Sequence, residues 1–314
     1  MNYTKILNIA SGNAICYSGF REGQCPGLIY PSYDQVKEDL LILHNHWEYL
    51  RLYDCDEHSE TVLQVIKKEK LNFKVMLGAY IVAEKNNYGC PWGGGTYPKE
   101  KLEKNKVYNK NRIKKLIRLA KQYPDIIFSL SAGNEACVDW TDHYVPVESV
   151  IDYVKMIKEG TKQPVTFCEN YVPWLNKLKP LAEVLDFISI HTYPVWEYKN
   201  IYEAMDYTKS NYFDVSNVYP DKPVVITEAG WTTYSNGRGI DPNNVSEEYQ
   251  KTYIRDLMGW SKDAGILTFV FEAFDESWKG SSEALEPEKH WGLFMVDRKP
   301  KLVMQELMIR QNQF

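Results

Sequence analysis

Eight short apolar runs recur along the chain, each followed by a longer stretch, several of them with helical periodicity, and this alternation limits the fold more than any other feature. The runs are Ala14–Tyr17, Tyr49–Tyr53, Lys74–Gly78, Ile126–Ser131, Pro164–Cys168, Asp186–Ile190, Pro223–Thr227 and Leu267–Phe271. Each is compact, as strands covered on both sides in a parallel sheet are. The first helical stretch starts at Ser32, has Gln35 three residues on as a capping box, and carries Val36, Leu40 and Leu43 on one face. Another starts near Ser246, with Glu247 and Glu248 in its first turn, where acids suit the helix dipole. The last is expected over Lys301–Gln313. Strict alternation of this kind predicts an α/β fold, a (β/α)8 TIM barrel forming a single domain over residues 1–314. A doubly wound open sheet is the alternative. It is weakened because no G-x-G-x-x-G or G-x-x-x-x-G-K-[ST] follows an early strand.

Composition narrows the partners. With 44% hydrophobic residues in 314, the chain can bury a substantial core. A net charge of −5 gives no electrostatic footprint for nucleic acid or an anionic membrane. A neutral or polar small molecule or polymer is the expected partner, and a monomer the expected state. Six cysteines show no C-x-x-C spacing and no histidine at zinc-ligand spacing, so free thiols, no metal and no cofactor are expected. The opening MNYTKILNIASGN has no basic region followed by a long apolar run, and no stretch reaches a membrane span. A cytoplasmic location is expected from this, or a secreted or periplasmic one if a leader is removed.

Nine Trp and 23 Tyr are more than a core of this size needs. Trp92, Trp140, Trp174, Trp196, Trp231, Trp278 and Trp291 fall in loops or turns after strands, where indole faces suit sugar C–H faces. Trp47 and Trp260 fall in helical patterns and read as core. The Gly93–Gly95 run after the third strand reads as a mobile surface loop or as a flap over a cleft.

In such barrels the site lies at the C-terminal ends of the strands. Two of those ends carry a Glu in a distinctive setting: Ser131-Ala-Gly-Asn-Glu135 after the fourth strand and Ile226-Thr-Glu228-Ala-Gly-Trp231 after the seventh. Strands four and seven face each other across a closed barrel. Two facing carboxyls are what glycoside cleavage requires, one protonated to release the leaving oxygen and one ionised to attack the anomeric carbon or activate water. Either Glu alone reads equally well as a solvated loop carboxylate or an ion-pair partner. Arg51, Tyr53 and Asp54 end the second strand, His191 and Tyr193 the sixth, and Glu276, Trp278 and Lys279 follow the eighth.

These stretches resemble glycoside hydrolase family 17, the β-1,3-glucanase family of retaining (β/α)8 glycosidases. The resemblance is carried by Ile15-Cys-Tyr17-Ser-Gly19-Phe, Leu50-Arg-Leu-Tyr-Asp54, Gly133-Asn-Glu135, Ile226-Thr-Glu-Ala-Gly-Trp231, Phe271–Lys279 and Lys289-His-Trp-Gly-Leu-Phe294. The runs from Tyr17 to Gln24 and from Tyr53 to His58 look more like its compact bacterial branch than the plant enzymes, and Gly230-Trp-Thr stands where the plant type has Gly-Trp-Pro. The resemblance implies a hydrolase of β-1,3-glucan or its oligosaccharides. It assigns Glu135 as acid/base, Glu228 as nucleophile, and Asn134 as a partner of the sugar 2-hydroxyl. Arg51 and Tyr193 would hold Glu228 ionised, and Glu276, Lys279 and Glu288 would form a charged cluster beside the pair. Tyr17, Tyr53, Asp54, His191, Trp231 and Trp291 are further candidates for binding or support. A transglycosylase with the same residues and a non-catalytic glucan-binding barrel are the alternatives.

Overall fold

A computed structural model describes residues 3–311. Eight parallel strands close into a barrel in chain order: β1 (Ala14–Cys16), β2 (Tyr49–Leu52), β3 (Lys74–Gly78), β4 (Ile127–Asn134), β5 (Val165–Asn170), β6 (Ile188–Thr192), β7 (Val224–Ala229) and β8 (Thr268–Val270). The pairs Ala14 with Phe269 and Ile15 with Val270 close the ring. The expected (β/α)8 barrel is therefore the observed fold. Helices follow the strands, among them Tyr33–Leu43, Glu57–Glu69, Lys99–Gln122, Val147–Gly160, Ile201–Val218, Glu247–Ala264 and Leu302–Gln311. The end of the last expected helix, at residues 312–313, lies outside the described residues.

Local chemistry sets the helix starts as the sequence implies. Ser32 Oγ accepts from the Gln35 N–H while the Gln35 side chain accepts from the Ser32 N–H, and Val36, Leu40 and Leu43 are buried. Ser246 caps the helix from Glu247 by accepting from the Tyr249 N–H. A second capping box, Asn200 with Glu203, opens the helix at Ile201. Each such cap contributes about 1 kcal/mol by satisfying N–H groups the helix leaves open. Trp47 is buried as expected, but it sits in the turn beyond the Tyr33–Leu43 helix rather than within it. Trp260 does lie in a helix.

Four strands run further than their apolar runs. β4 ends at Asn134 rather than Ser131, β5 at Asn170 rather than Cys168, β6 at Thr192 rather than Ile190, and β7 at Ala229 rather than Thr227. The extra residues include Asn134, Glu169, His191 and Glu228, which lie at the barrel mouth. Register breaks fall in the same places, between Ser131 and Asn134, between Ile190 and His191, and between Ile226 and Ala229. Such breaks re-aim side chains at a barrel rim. No helix among the described residues is long and apolar enough to cross a membrane.

The Gly93–Gly95 loop is tied down at its base. The Asn87 amide donates to the carbonyls of Asp139 and Thr141 in the loop after β4, and its backbone N–H donates to the Gly95 carbonyl. Gly93 and Gly95 hold φ of 79° and 82°, which glycine adopts at no steric cost. Trp92, just before them, is 63% exposed.

Candidate active site

Glu135 follows the end of β4 and Glu228 lies within β7, and the barrel brings their side chains together at its C-terminal mouth. One carboxylate oxygen of each and a ring nitrogen of His191 all lie within 4.8 Å of one another. Glu228 is nearly enclosed, with 6% of its side chain exposed, whereas Glu135 is 33% exposed to the cleft. Glu135 adopts φ of 46°, a left-handed conformation that disfavours residues with a Cβ.

Each carboxylate is held by different partners. Arg51, from β2, donates from one terminal nitrogen to Glu228 Oε1 at 2.6 Å and from the other to Asn134 Oδ1 at 2.5 Å. The Tyr193 hydroxyl, just beyond β6, donates to Glu228 Oε2. His191 places Nδ1 2.7 Å from Glu135 Oε1 and Nε2 3.4 Å from Glu228 Oε1. Burial pushes the Glu228 carboxyl up, but the charges of His191 and Arg51 and the Tyr193 hydrogen bond outweigh it and hold the group below the usual carboxylate range. Burial would lower His191, yet Glu228, a hydrogen bond that it donates to Cys168, and Glu135 raise it to about 10.

Behind this pair stands a layer that sequence motifs did not single out. Cys168, on β5, is fully buried; burial raises its thiol, but Arg51 and His191 bring it down to about 7. Glu169, also on β5 and fully buried, accepts from the N–H groups of Cys137, Val138 and Asn170 at 2.8, 3.1 and 2.7 Å. It thereby anchors the turn that follows Glu135. Burial and the nearby Glu135 nevertheless push its carboxyl up to about 8. The signal for Glu169 was its place at a strand end, hidden because a Glu inside an apolar run reads as the end of the strand.

The β8 rim carries the charged cluster, with a fourth member. Lys279 donates to both oxygens of Glu272 at 2.8 and 2.7 Å and lies 2.7 Å from Glu276. Glu276 also accepts from the Ser18 hydroxyl at 2.6 Å and from the Trp278 indole at 2.9 Å. Glu272, absent from the expected set, lies in the same Phe271–Lys279 run, four residues before Glu276. Burial pushes Glu288 up to about 7, with Glu135, Glu228 and Glu286 adding to the effect against Lys279.

The remaining candidates serve the frame. Tyr53 lies under the Arg51 guanidinium at 4.5 Å from ring centroid to cation. Trp291 is fully buried and meets Tyr193 edge-on at 5.1 Å and Phe271 at 5.6 Å, so it backs the ring that holds Glu228. Tyr17 is buried and donates to Asp39, which Arg298 and Arg21 also bind. Asp54 accepts from the N–H groups of Cys55 and Tyr80 and joins the ends of β2 and β3. Trp231 is fully buried against Tyr253, its indole donating to the Asn244 carbonyl. Trp174 is likewise buried, whereas Trp92 and Trp278 are exposed. All six cysteines are free thiols.

Glu135, His191 and Glu228 could in principle offer one donor atom each to a metal ion. Glu135 Oε1 already faces His191 Nδ1, and both Glu228 oxygens accept from Arg51 and Tyr193. The Arg51 cation sits 2.6 Å from the Glu228 oxygen, where it repels a second cation, and an imidazolium has no lone pair to give. The arrangement is suited to moving protons and making a bond at a carboxylate oxygen: one acid buried and ionised, the other open to the cleft.

The chain resembles several known proteins along most of its length. The chain is 26% identical over 297 residues to a probable glucan endo-1,3-beta-glucosidase btgC of Aspergillus clavatus, a match covering 86% of this chain and 39% of that protein. It is 24% identical over 301 residues to the probable family 17 glucosidase SCW4 of Saccharomyces cerevisiae, covering 92% and 67% of the two chains. The chain thus spans about two fifths of the length of the first of these relatives. Its structure superposes on an endo-laminarinase from Formosa with a TM-score of 0.83 at 26% identity, over 99% of this chain and 90% of that one. The same fold is found in a β-1,3-glucanosyltransferase of Rhizomucor miehei, with a TM-score of 0.71 at 22% identity over 92% and 95% of the chains. Residues 14–292 match the BtgE/BtgC glycoside hydrolase domain, and the chain belongs to that family.

Proposed function

We propose that this protein cleaves β-1,3-glucan or its oligosaccharides with retention, through a covalent glycosyl-enzyme. The observation that carries the reading is the approach of Glu135 and Glu228 to within 4.8 Å. Retaining glycosidases hold their carboxyl groups roughly 5–5.5 Å apart, whereas inverting ones leave roughly 6.5–9.5 Å for a water. Glu228 Oε attacks the anomeric carbon while Glu135 gives its proton to the departing oxygen. Glu135 then takes a proton from water, which attacks the same carbon and frees Glu228. Asn134, held by Arg51, is assigned the sugar 2-hydroxyl on the family resemblance, a contact that strengthens in the transition state. A β-1,3-glucan substrate is supported by the likeness to the probable glucan endo-1,3-beta-glucosidase of Aspergillus clavatus and to the Formosa endo-laminarinase. The Tyr17–Gln24 and Tyr53–His58 runs support a place in the compact branch of the family.

Transfer to a second sugar, as in the Rhizomucor transferase, uses the same residues with a sugar hydroxyl in place of water. Product analysis on laminari-oligosaccharides separates the two, since transfer lengthens some chains. The mechanism is tested by Glu228→Ala. Turnover should vanish, and azide should restore part of it as a glycosyl azide of inverted configuration. A variant near the wild-type rate would remove Glu228 from the nucleophile's role.

A further inference from the structure

The peptide unit between Asn134 and Glu135 is held at both ends. Its N–H, on Glu135, donates to the Cys168 carbonyl at 2.9 Å. Its C=O, on Asn134, faces Nε2 of His143 at 3.0 Å. His143 lies in the loop after β4, and its Nδ1 is 2.8 Å from Asp142 Oδ1 and 3.0 Å from Thr141 Oγ1. A carbonyl and a carboxylate can only accept, so both ring nitrogens donate and the ring is an imidazolium. Burial lowers the imidazole, but Asp142, the Asn134 carbonyl and Glu135 together raise it above its ordinary value. Tyr80 packs on the ring at 5.0 Å with its hydroxyl 3.4 Å from Nδ1, and the Tyr97 hydroxyl donates to the Asp142 carbonyl. His143, Asp142, Tyr80 and Tyr97 line one wall of a groove of about 510 Å³, with Lys101 and Lys104 also facing it.

The plane of this peptide sets ψ of Asn134 and φ of Glu135 together. Glu135 sits at φ of 46°, where an L-residue remains only if its surroundings hold it. Freeing the carbonyl lets the plane rotate and swings the Glu135 carboxyl with it. We propose that His143, backed by Asp142, is a positioning residue that clamps the Asn134–Glu135 peptide and so aims the Glu135 carboxyl at the leaving oxygen. The proposal rests on the glycosidase function argued above, and it adds a residue outside the motifs that identified the pair.

The test uses His143→Phe, which keeps the ring on Tyr80 and removes the donor, and His143→Gln, which keeps a side-chain N–H donor. Each is assayed on laminaritetraose and on a dinitrophenyl β-glucoside, whose leaving group needs little protonation, with thermal unfolding as a folding control. His143→Phe should lose roughly 10–100-fold in kcat/KM on the oligosaccharide, the scale of a small misplacement of a catalytic group. It should change kcat/KM little on the aryl glycoside, because that ratio reports glycosylation and not the later water-activating step that Glu135 also serves, and His143→Gln should recover most of the loss. Equal losses on the two substrates, or no loss on the oligosaccharide, overturn the clamp. If His143→Phe does not fold, Asp142→Asn carries the test: a smaller loss confined to the oligosaccharide supports the clamp, and any other pattern overturns it. Wild-type protein inactive on every β-1,3-glucan overturns the glycosidase function and the clamp with it, whereas active wild type with indifferent variants overturns the clamp alone.

Discussion

Arg51 and Glu228 form an ion pair at 2.6 Å with 2% and 6% of their side chains exposed, and the same guanidinium holds Asn134. One buried cation therefore fixes Glu228 and the residue beside Glu135. A guanidinium suits this task because its planar fork reaches two acceptors at once. Replacing it by Met removes both bonds and leaves Glu228 without its closest counter-charge. An opposite charge this close lowers a carboxyl by about 1–3 pH units. Arg51→Met should move the acidic limb of kcat/KM upward by that amount, measured as a pH-rate profile. A limb that stays in place would mean that His191 and Tyr193 alone keep Glu228 ionised.

The wild-type profile follows from the same group. Glu228 is held below the usual carboxylate range, so its ionised, reactive form is present above that depressed value and is lost as pH falls through it. The acidic limb should therefore lie below 4.5, the ordinary value for a Glu carboxyl. His191, raised to about 10, stays charged across the neutral range and does not titrate within that limb. An acidic limb above pH 5 in kcat/KM would contradict the assignment of Glu228 as the ionised partner.

The barrel and the two facing glutamates were legible because both are written in local patterns. Apolar runs mark strands, and Asn134-Glu135 and Glu228 stand at the ends of two of them. What was not legible lies where function interrupts those patterns. Glu169 and Asn170 continue β5, yet their polarity reads as its end. His143 acts on a backbone carbonyl nine residues away, a contact that depends on how the loop folds back. Glu272 is one of several acids in its run, and only its hydrogen bonds to Lys279 distinguish it. The tryptophans show the converse limit. Trp174, Trp231 and Trp291 lie in turns by sequence but are wholly buried, because loops over a barrel mouth pack against one another and need cores of their own.

Metal independence is expected from the Arg51 guanidinium 2.6 Å from the Glu228 oxygen, where it repels a second cation. Prolonged EDTA treatment followed by desalting should leave laminarin hydrolysis unchanged, and added Zn²⁺ or Mn²⁺ should not raise it. Activity lost to the chelator and regained with one metal ion would show that the Arg51 and His191 cations do not exclude a third.

Lys279 is the single ammonium between Glu272 and Glu276, whose side chains are 1% and 0% exposed. Its removal strands two carboxyls in a nearly dry rim. Breaking a buried ion pair from one side costs about 3–5 kcal/mol, because the remaining charge has neither water nor a partner. Lys279→Met should lose about that much stability at neutral pH, read by urea unfolding. The sign of the pH dependence is fixed as well. Burial pushes Glu272 up, and losing Lys279 pushes it further, so the native state takes up protons more readily than the unfolded chain. The defect should shrink as pH falls and the stranded carboxyls become neutral. A variant as stable as wild type at pH 7, or one whose deficit widens toward acid, would show that the two glutamates are held by Ser18, Trp278 and the backbone rather than by Lys279.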